Sequence, residues 1–151
     1  MKKFALALLA LILCAGQLFA SPDTASSKDD EVIGVWLSEN GNEKVEIYEE
    51  NGLYHGKLIW MNNPNDENGK PLLDEKNPEE ALRNQPLLGL NILIGFHKKG
   101  TGVFKDGKVY DAGSGKIYDA IIKVKDGIAK IRAYIGIPLI GKTETCTKVE
   151  G

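Results

Sequence analysis

Residues 43–60 read E-K-V-E-I-Y-E-E-N-G-L-Y-H-G-K-L-I-W. Two runs rich in β-branched and aromatic residues flank Asn51-Gly52. Asn-Gly tolerates the positive φ angles of a two-residue hairpin turn and is the strongest short-range hairpin signal. Val45 and Ile47 alternate with Lys44, Glu46 and Tyr48, the period of a half-buried strand. The return strand puts Tyr54, Leu58 and Trp60 on one face, with His55 and Lys57 on the other. This ribbon has an apolar side that needs covering, and further strands are expected to supply the cover.

Those strands follow at close spacing. Residues 32–38 carry Gly34-Val35-Trp36, and Asn40-Gly41-Asn42 turns the chain into the hairpin. Residues 91–99 place Ile92, Ile94 and Phe96 on one face. Residues 103–104 and 108–110 read as two short strands around Asp106-Gly107. Residues 117–125 align Tyr118, Ala120, Ile122 and Val124, and Asp126-Gly127 signals a second tight hairpin. Residues 128–135 align Ala129, Ile131, Ala133 and Ile135. Gly136-Ile137-Pro138 bends the chain, and residues 140–149 form the last strand. Eight or nine short strands with almost no helix predict an all-β fold, a single antiparallel meander barrel of about eight strands, because closure leaves no exposed edge. The interior of such a barrel holds side chains or one small ligand.

One long connection interrupts the meander. Residues 61–90 contain four prolines and one short helical signal, Pro78-Glu79-Glu80-Ala81-Leu82-Arg83, which Asn77 can cap. Leu72, Leu73, Leu87, Leu88 and Leu90 predict that this loop packs down rather than extending into solvent.

The first twenty residues read as a leader. Met1-Lys2-Lys3 is basic, residues 4–13 are an apolar run too short to span a bilayer, and Leu18-Phe19-Ala20 resembles a cleavage site. Export to the periplasm or outside the cell, with cleavage after Ala20, is the expectation. Lipid attachment at Cys14 is less favoured because Leu13 stands where a small residue belongs. Residues 21–31 read as a disordered leader of Ser, Asp and Lys, and residues 32–151 as the barrel domain. No other run is long enough for a transmembrane helix. Removing Lys2 and Lys3 takes the formal charge from −2 to −4, which gives no reason to expect nucleic acid as a partner. Cleavage also removes Cys14, leaving Cys146 alone, read as a small buried hydrophobe of the last strand.

Chemistry-bearing motifs are sparse. His55 and His97 lack ligand spacing, so no metal and no cofactor is expected. Asp66, Asn68, Gly69 and Glu75 have some calcium-loop flavour, but Pro64 occupies a position that needs an oxygen ligand. No nucleophile elbow, P-loop or dinucleotide fingerprint appears. On the last strand Lys142, Glu144, Cys146 and Lys148 share one face, and Thr143, Thr145, Thr147 and Val149 the other. If the cysteine face points inward, the interior acquires charge. Trp36, Tyr54, Trp60, Tyr110, Tyr118 and Tyr134 are candidates to line a pocket or to pack in the core.

These pieces resemble an exported bacterial family known as domain of unknown function 2147. Gly34-Val35-Trp36, Ile47-Tyr48, Gly52 and Gly56-Lys57 carry the first part of the likeness. Asp74-Glu75-Lys76-Asn77-Pro78, Arg83 and Pro86-Leu87-Leu88-Gly89 carry the second. The most specific segment is Tyr110-Asp111-Ala112-Gly113-Ser114-Gly115-Lys116-Ile117-Tyr118. Tyr134-Ile135-Gly136 and Gly141-Lys142-Thr143-Glu144-Thr145 complete it. The resemblance implies a lipocalin-like or streptavidin-like barrel and no established activity. Ala112, Ala133, Cys146 and Lys148 depart from the family's usual proline, glycine, tryptophan and arginine. In lipocalin-like barrels a late-strand arginine packs on the first-strand tryptophan, and here that position is Lys148.

Two functional readings follow. The first is an exported, monomeric barrel that binds a small, partly apolar (amphiphilic) ligand. Its candidate residues are Trp36, Tyr54, Asp74, Arg83, Tyr110, Asp111, Lys116, Tyr118, Glu144 and Lys148. The second is a ligand-free module that binds protein or glycan through its surface, with Asp111 and Ser114 as turn caps; its sign would be a contiguous exposed apolar patch. A hydrolase using Asp111 or Asp74 is the weaker alternative.

Overall fold

The computed structural model describes residues 30–149, so the expected leader 1–20, residues 21–29 and the last two residues lie outside the described residues. Eight antiparallel strands run in chain order. They are β1 (Gly34–Ser38), β2 (Glu43–Glu50), β3 (Leu53–Met61), β4 (Asn91–Gly100), β5 (Val103–Asp111), β6 (Lys116–Lys125), β7 (Ile128–Tyr134) and β8 (Gly141–Lys148). Each pairs with the next, and β8 returns to β1 through Trp36 opposite Lys148 and Ser38 opposite Cys146. The closed barrel satisfies every strand edge, as the meander predicts.

The local turn chemistry explains the register. Asn51 and Gly52 both have positive φ, as do Asp126 and Gly127, so both predicted two-residue hairpins form. Asp106-Gly107 behaves differently. Asp106 has φ 62°, yet β5 runs unbroken through it, with a bulge opposite β6. The reason is packing: a Cβ at Gly107 would lie 2.3 Å from the Phe96 ring, so the glycine makes room for Phe96 rather than for a turn. Gly56 does the same for Leu93, whose Cδ1 would lie 2.6 Å from an added Cβ.

Two further bulges overturn expected faces. The β2–β3 ladder slips between Lys44 and Val45, so Trp60 points outward beneath the Lys44 ammonium, 5.2 Å from its ring. On β4 the slip falls at Gly95, whose φ is 68°; Leu93 and Phe96 face the core and Ile94 faces out. β7 ends at Tyr134, so Ile135 belongs to the loop after it.

The core is Val32, Trp36, Val45, Ile47, Tyr54, Leu58, Leu93, Phe96, Phe104, Ile122 and Val124, with Ala120, Ala129 and Cys146 filling between them. Each large side chain contributes roughly 1.5–3 kcal/mol by leaving water. The cysteine face of β8 therefore points inward. Asp30 and Glu31, expected at the end of a disordered leader, dock beneath this core. Tyr54 Oη and Lys98 Nζ donate to Asp30, and the Gly127 amide donates to Glu31 Oε1 at 3.0 Å. The helical signal yields only one 3-10 turn, Glu80–Leu82.

Candidate functional site: the open end of the barrel

The two ends of the barrel differ. At the closed end Trp36 donates from Nε1 to the Val32 carbonyl at 2.7 Å. Lys148 Nζ stands 5.5 Å from the Trp36 ring centroid and donates to the Glu31 carbonyl at 2.6 Å. The lysine thus closes this end by a cation–π contact without planar stacking. Tyr54 is buried here, packed edge-on against Phe104 at 4.7 Å. Burial raises the Asp30 pKa, but hydrogen bonds from Lys98 and Tyr54 outweigh it, so the carboxyl is held below its ordinary value.

Toward the other end the inward-facing residues become progressively exposed. On β6 the column runs from buried Val124, Ile122 and Ala120 to half-buried Tyr118 and exposed Lys116. On β7 it runs from Ala129 to half-buried Ile131 and Ala133. β5 ends this column with half-buried Val109 and exposed Asp111, and β8 with exposed Glu144 and Lys142. Solvent therefore reaches the inward-facing side chains at this end, here called the cup. Val109, Tyr118, Ile131 and Ala133 form its wall; Glu43, Glu144, Asp111, Lys116 and Lys142 stand around its rim. Burial raises the Glu43 pKa, and the neighbouring Glu144 and Asp111 carboxylates raise it further. Among the described residues neither Glu43 nor Glu144 has an ion pair. Cys146, below the cup, is pushed up to about 12 by burial and by Glu144, Glu43 and Glu39, so it is a protonated, unreactive thiol at neutral pH.

Asp74, Arg83 and Tyr110 lie elsewhere. Tyr110 points outward from β5, where the long loop covers it. Its hydroxyl donates to Asp74 Oδ1 at 2.6 Å, and Asn77 Nδ2 donates to Asp74 Oδ2 at 2.7 Å. Asp74 is fully buried. Arg83 Nε donates to the Asn77 carbonyl at 2.8 Å, and Lys76 Nζ to the Gly113 carbonyl at 2.5 Å. Asp111 caps its own turn, accepting from the Gly113 amide at 3.0 Å and the Ser114 hydroxyl at 2.5 Å. The sequence motifs 74–78 and 110–118 thus meet as one clasp that pins the loop to the barrel wall. Burial and the Asp74 hydrogen bond push the Tyr110 phenol up to about 12, which keeps it a donor.

The candidate residues therefore divide three ways. Trp36, Tyr54 and Lys148 build the closed end. Asp74, Arg83 and Tyr110 build the clasp. Asp111, Lys116, Tyr118 and Glu144 stand at the cup. Sequence reasoning missed Val109, Ile131, Ala133, Glu43 and Lys142 as cup residues; strand alternation gives their face, but their depth along the axis follows from the closed register.

No curated protein matches the chain. Protein HP1028 from Helicobacter pylori, described as belonging to the lipocalin family, has a solved structure with a TM-score of 0.68 to this one. The two share 24% identity over 80% of this chain and 84% of that one, a likeness that shows the fold. The pattern of a bacterial family matches residues 34–148, every strand of the barrel. On that match the chain belongs to the family described as "Uncharacterized protein conserved in bacteria (DUF2147)".

Proposed function

We propose that the protein is an exported carrier or sensor that takes a small, partly apolar molecule into the cup at the open end of its barrel. The observation that carries this reading is the exposure gradient. The core is packed around Trp36, Phe96 and Phe104, whereas Val109, Tyr118, Ile131 and Ala133 turn carbon surface toward solvent inside the barrel. An inward-facing apolar wall that its own side chains leave uncovered is a place for a guest. Glu43 and Glu144 at the rim would meet the guest's polar end. Export rests on the basic and apolar leader at residues 1–20.

Native mass spectrometry of the protein purified from its own cell envelope, without a denaturing step, tests both parts. The expected spectrum shows the chain from Ser21 onward plus a small mass that leaves on collisional activation. A bare chain, before and after incubation with lipid extract, would remove the ligand reading. A mass that includes residues 1–20, or lipid on Cys14, would correct the processing.

A further inference from the structure

The loop between β7 and β8 reads Ile135-Gly136-Ile137-Pro138-Leu139-Ile140, and its aliphatic side chains stand well out in solvent: Ile135 is 70%, Ile137 52%, Leu139 83% and Ile140 66% exposed. Ile117, at the same end of the neighbouring β6, is 56% exposed. The loop is held in one shape. Arg132 Nε donates to the Pro138 carbonyl, Nη2 to the Leu139 carbonyl at 3.0 Å, and Nη1 to Thr143 Oγ1 at 2.9 Å. The Ile137 amide donates to the Ile135 carbonyl, Ile140 to Ile137, and Ile135 to Ile140. Of the six carbonyls in 135–140, those of Ile135, Ile137, Pro138, Leu139 and Ile140 therefore already have donors, and Pro138 has no N–H to satisfy.

From this we infer that the loop seats the open end of the barrel on a lipid bilayer with electrically neutral headgroups. A loop that offers aliphatic carbon and few unmet polar groups suits an occupant that offers no hydrogen bonds in return, and hydrocarbon is that occupant. The area also favours it. Even with Ile117 included, the exposed aliphatic patch stays below the roughly 800 Å² per partner of a stable protein interface. Charge sets the headgroup. Glu39, Glu43, Glu144 and Asp111 stand at this end against Lys76, Lys116, Arg132 and Lys142, so the face carries no cationic surplus that would draw it to an anionic surface. This inference does not depend on a guest in the cup.

Vesicle flotation tests it, using the chain from Ser21 onward, which contains every strand of the closed barrel. The chain is expected to float with phosphatidylcholine vesicles, and no better with vesicles rich in phosphatidylglycerol. The double variant Ile135→Ser, Leu139→Ser should partition at least about tenfold less, with its near-UV ellipticity unchanged because both side chains point into solvent. Lys130→Ser, on the outer face of β7, should float like the parent. The inference fails if the parent chain stays at the bottom of the gradient, or if the double variant floats equally well. A dimer in sedimentation equilibrium that the double variant abolishes, without flotation of either chain, would give the face to a second copy instead.

Discussion

Asp30 and Glu43 occupy opposite ends of the barrel, and their surroundings act on them in opposite directions. Donors from Lys98 and Tyr54 hold Asp30 below its ordinary 3.8. Its contribution to stability is therefore present above pH 3.8 and lost as pH falls through the lower folded value. Glu43 stands above its ordinary 4.5, because burial, Glu144 and Asp111 all disfavour its charge. Its ionisation costs stability, a cost absent below pH 4.5 and complete once pH exceeds the raised folded value. Asp30→Asn should lower the urea midpoint at pH 7 by the equivalent of about 1 kcal/mol, since Lys98 remains 45% exposed and its ion pair is screened. That difference should shrink below pH 3.8. Glu43→Gln should raise the midpoint at pH 7 and leave it unchanged below pH 4.5. Equal effects of the two variants at every pH would mean that neither carboxyl senses its end of the barrel. The sequence marks both residues as acidic and nothing more. Their opposite behaviour depends on partners 24 and 68 positions away for Asp30, a distance that no local pattern spans.

At the scale of elements, the long loop and the β5–β6 turn form one unit. Gly115 has φ 69°, and a Cβ there would lie 1.9 Å from the Lys76 carbonyl oxygen, so the turn and the loop fit only with glycine between them. Tyr110→Phe removes the donor to Asp74 Oδ1 and leaves a fully buried carboxyl oxygen unpartnered, which should cost about 1.5–3 kcal/mol. Limited proteolysis should then cut within residues 62–90 faster than in the parent chain. Unchanged cleavage would show that the loop is held by its leucines alone. The hairpins were legible because Asn51-Gly52 and Asp126-Gly127 carry their geometry in two residues. The bulges at Gly95 and before Val45 were not, because each answers a cross-strand fit, such as Leu93 entering the space over Gly56. A one-residue slip turns the following side chains to the other face, and that is how Trp60 and Ile94 come to point outward. The clasp was half legible: both motifs stood out in the sequence, but their meeting is a tertiary event.

At the scale of the whole molecule, closure converts strand alternation into depth. Each strand contributes an inward column, and the β1–β8 pairing of Trp36 with Lys148 fixes which end of every column is the floor. The alternation in β7 already places Ala129, Ile131 and Ala133 on one side; only the closed register places Ala129 in the packed core and Ala133 at the open end. Ala133 is consequently the half-buried position at the edge of the core from which the cup can be filled. It lies opposite Ala120 on one side and Lys142 on the other, half-buried where solvent already enters. Ala133→Trp should plug the cup with a large aromatic group while leaving the floor residues Trp36, Phe96 and Phe104 in place. Native mass spectra of this variant should show the bare chain where the parent carries a guest, with a melting temperature within a few degrees of the parent because no packed side chain is displaced. A guest that persists in the variant would have to sit outside the barrel, and the exposed face of the β7–β8 loop, rather than the cup, would then be the place to look for it.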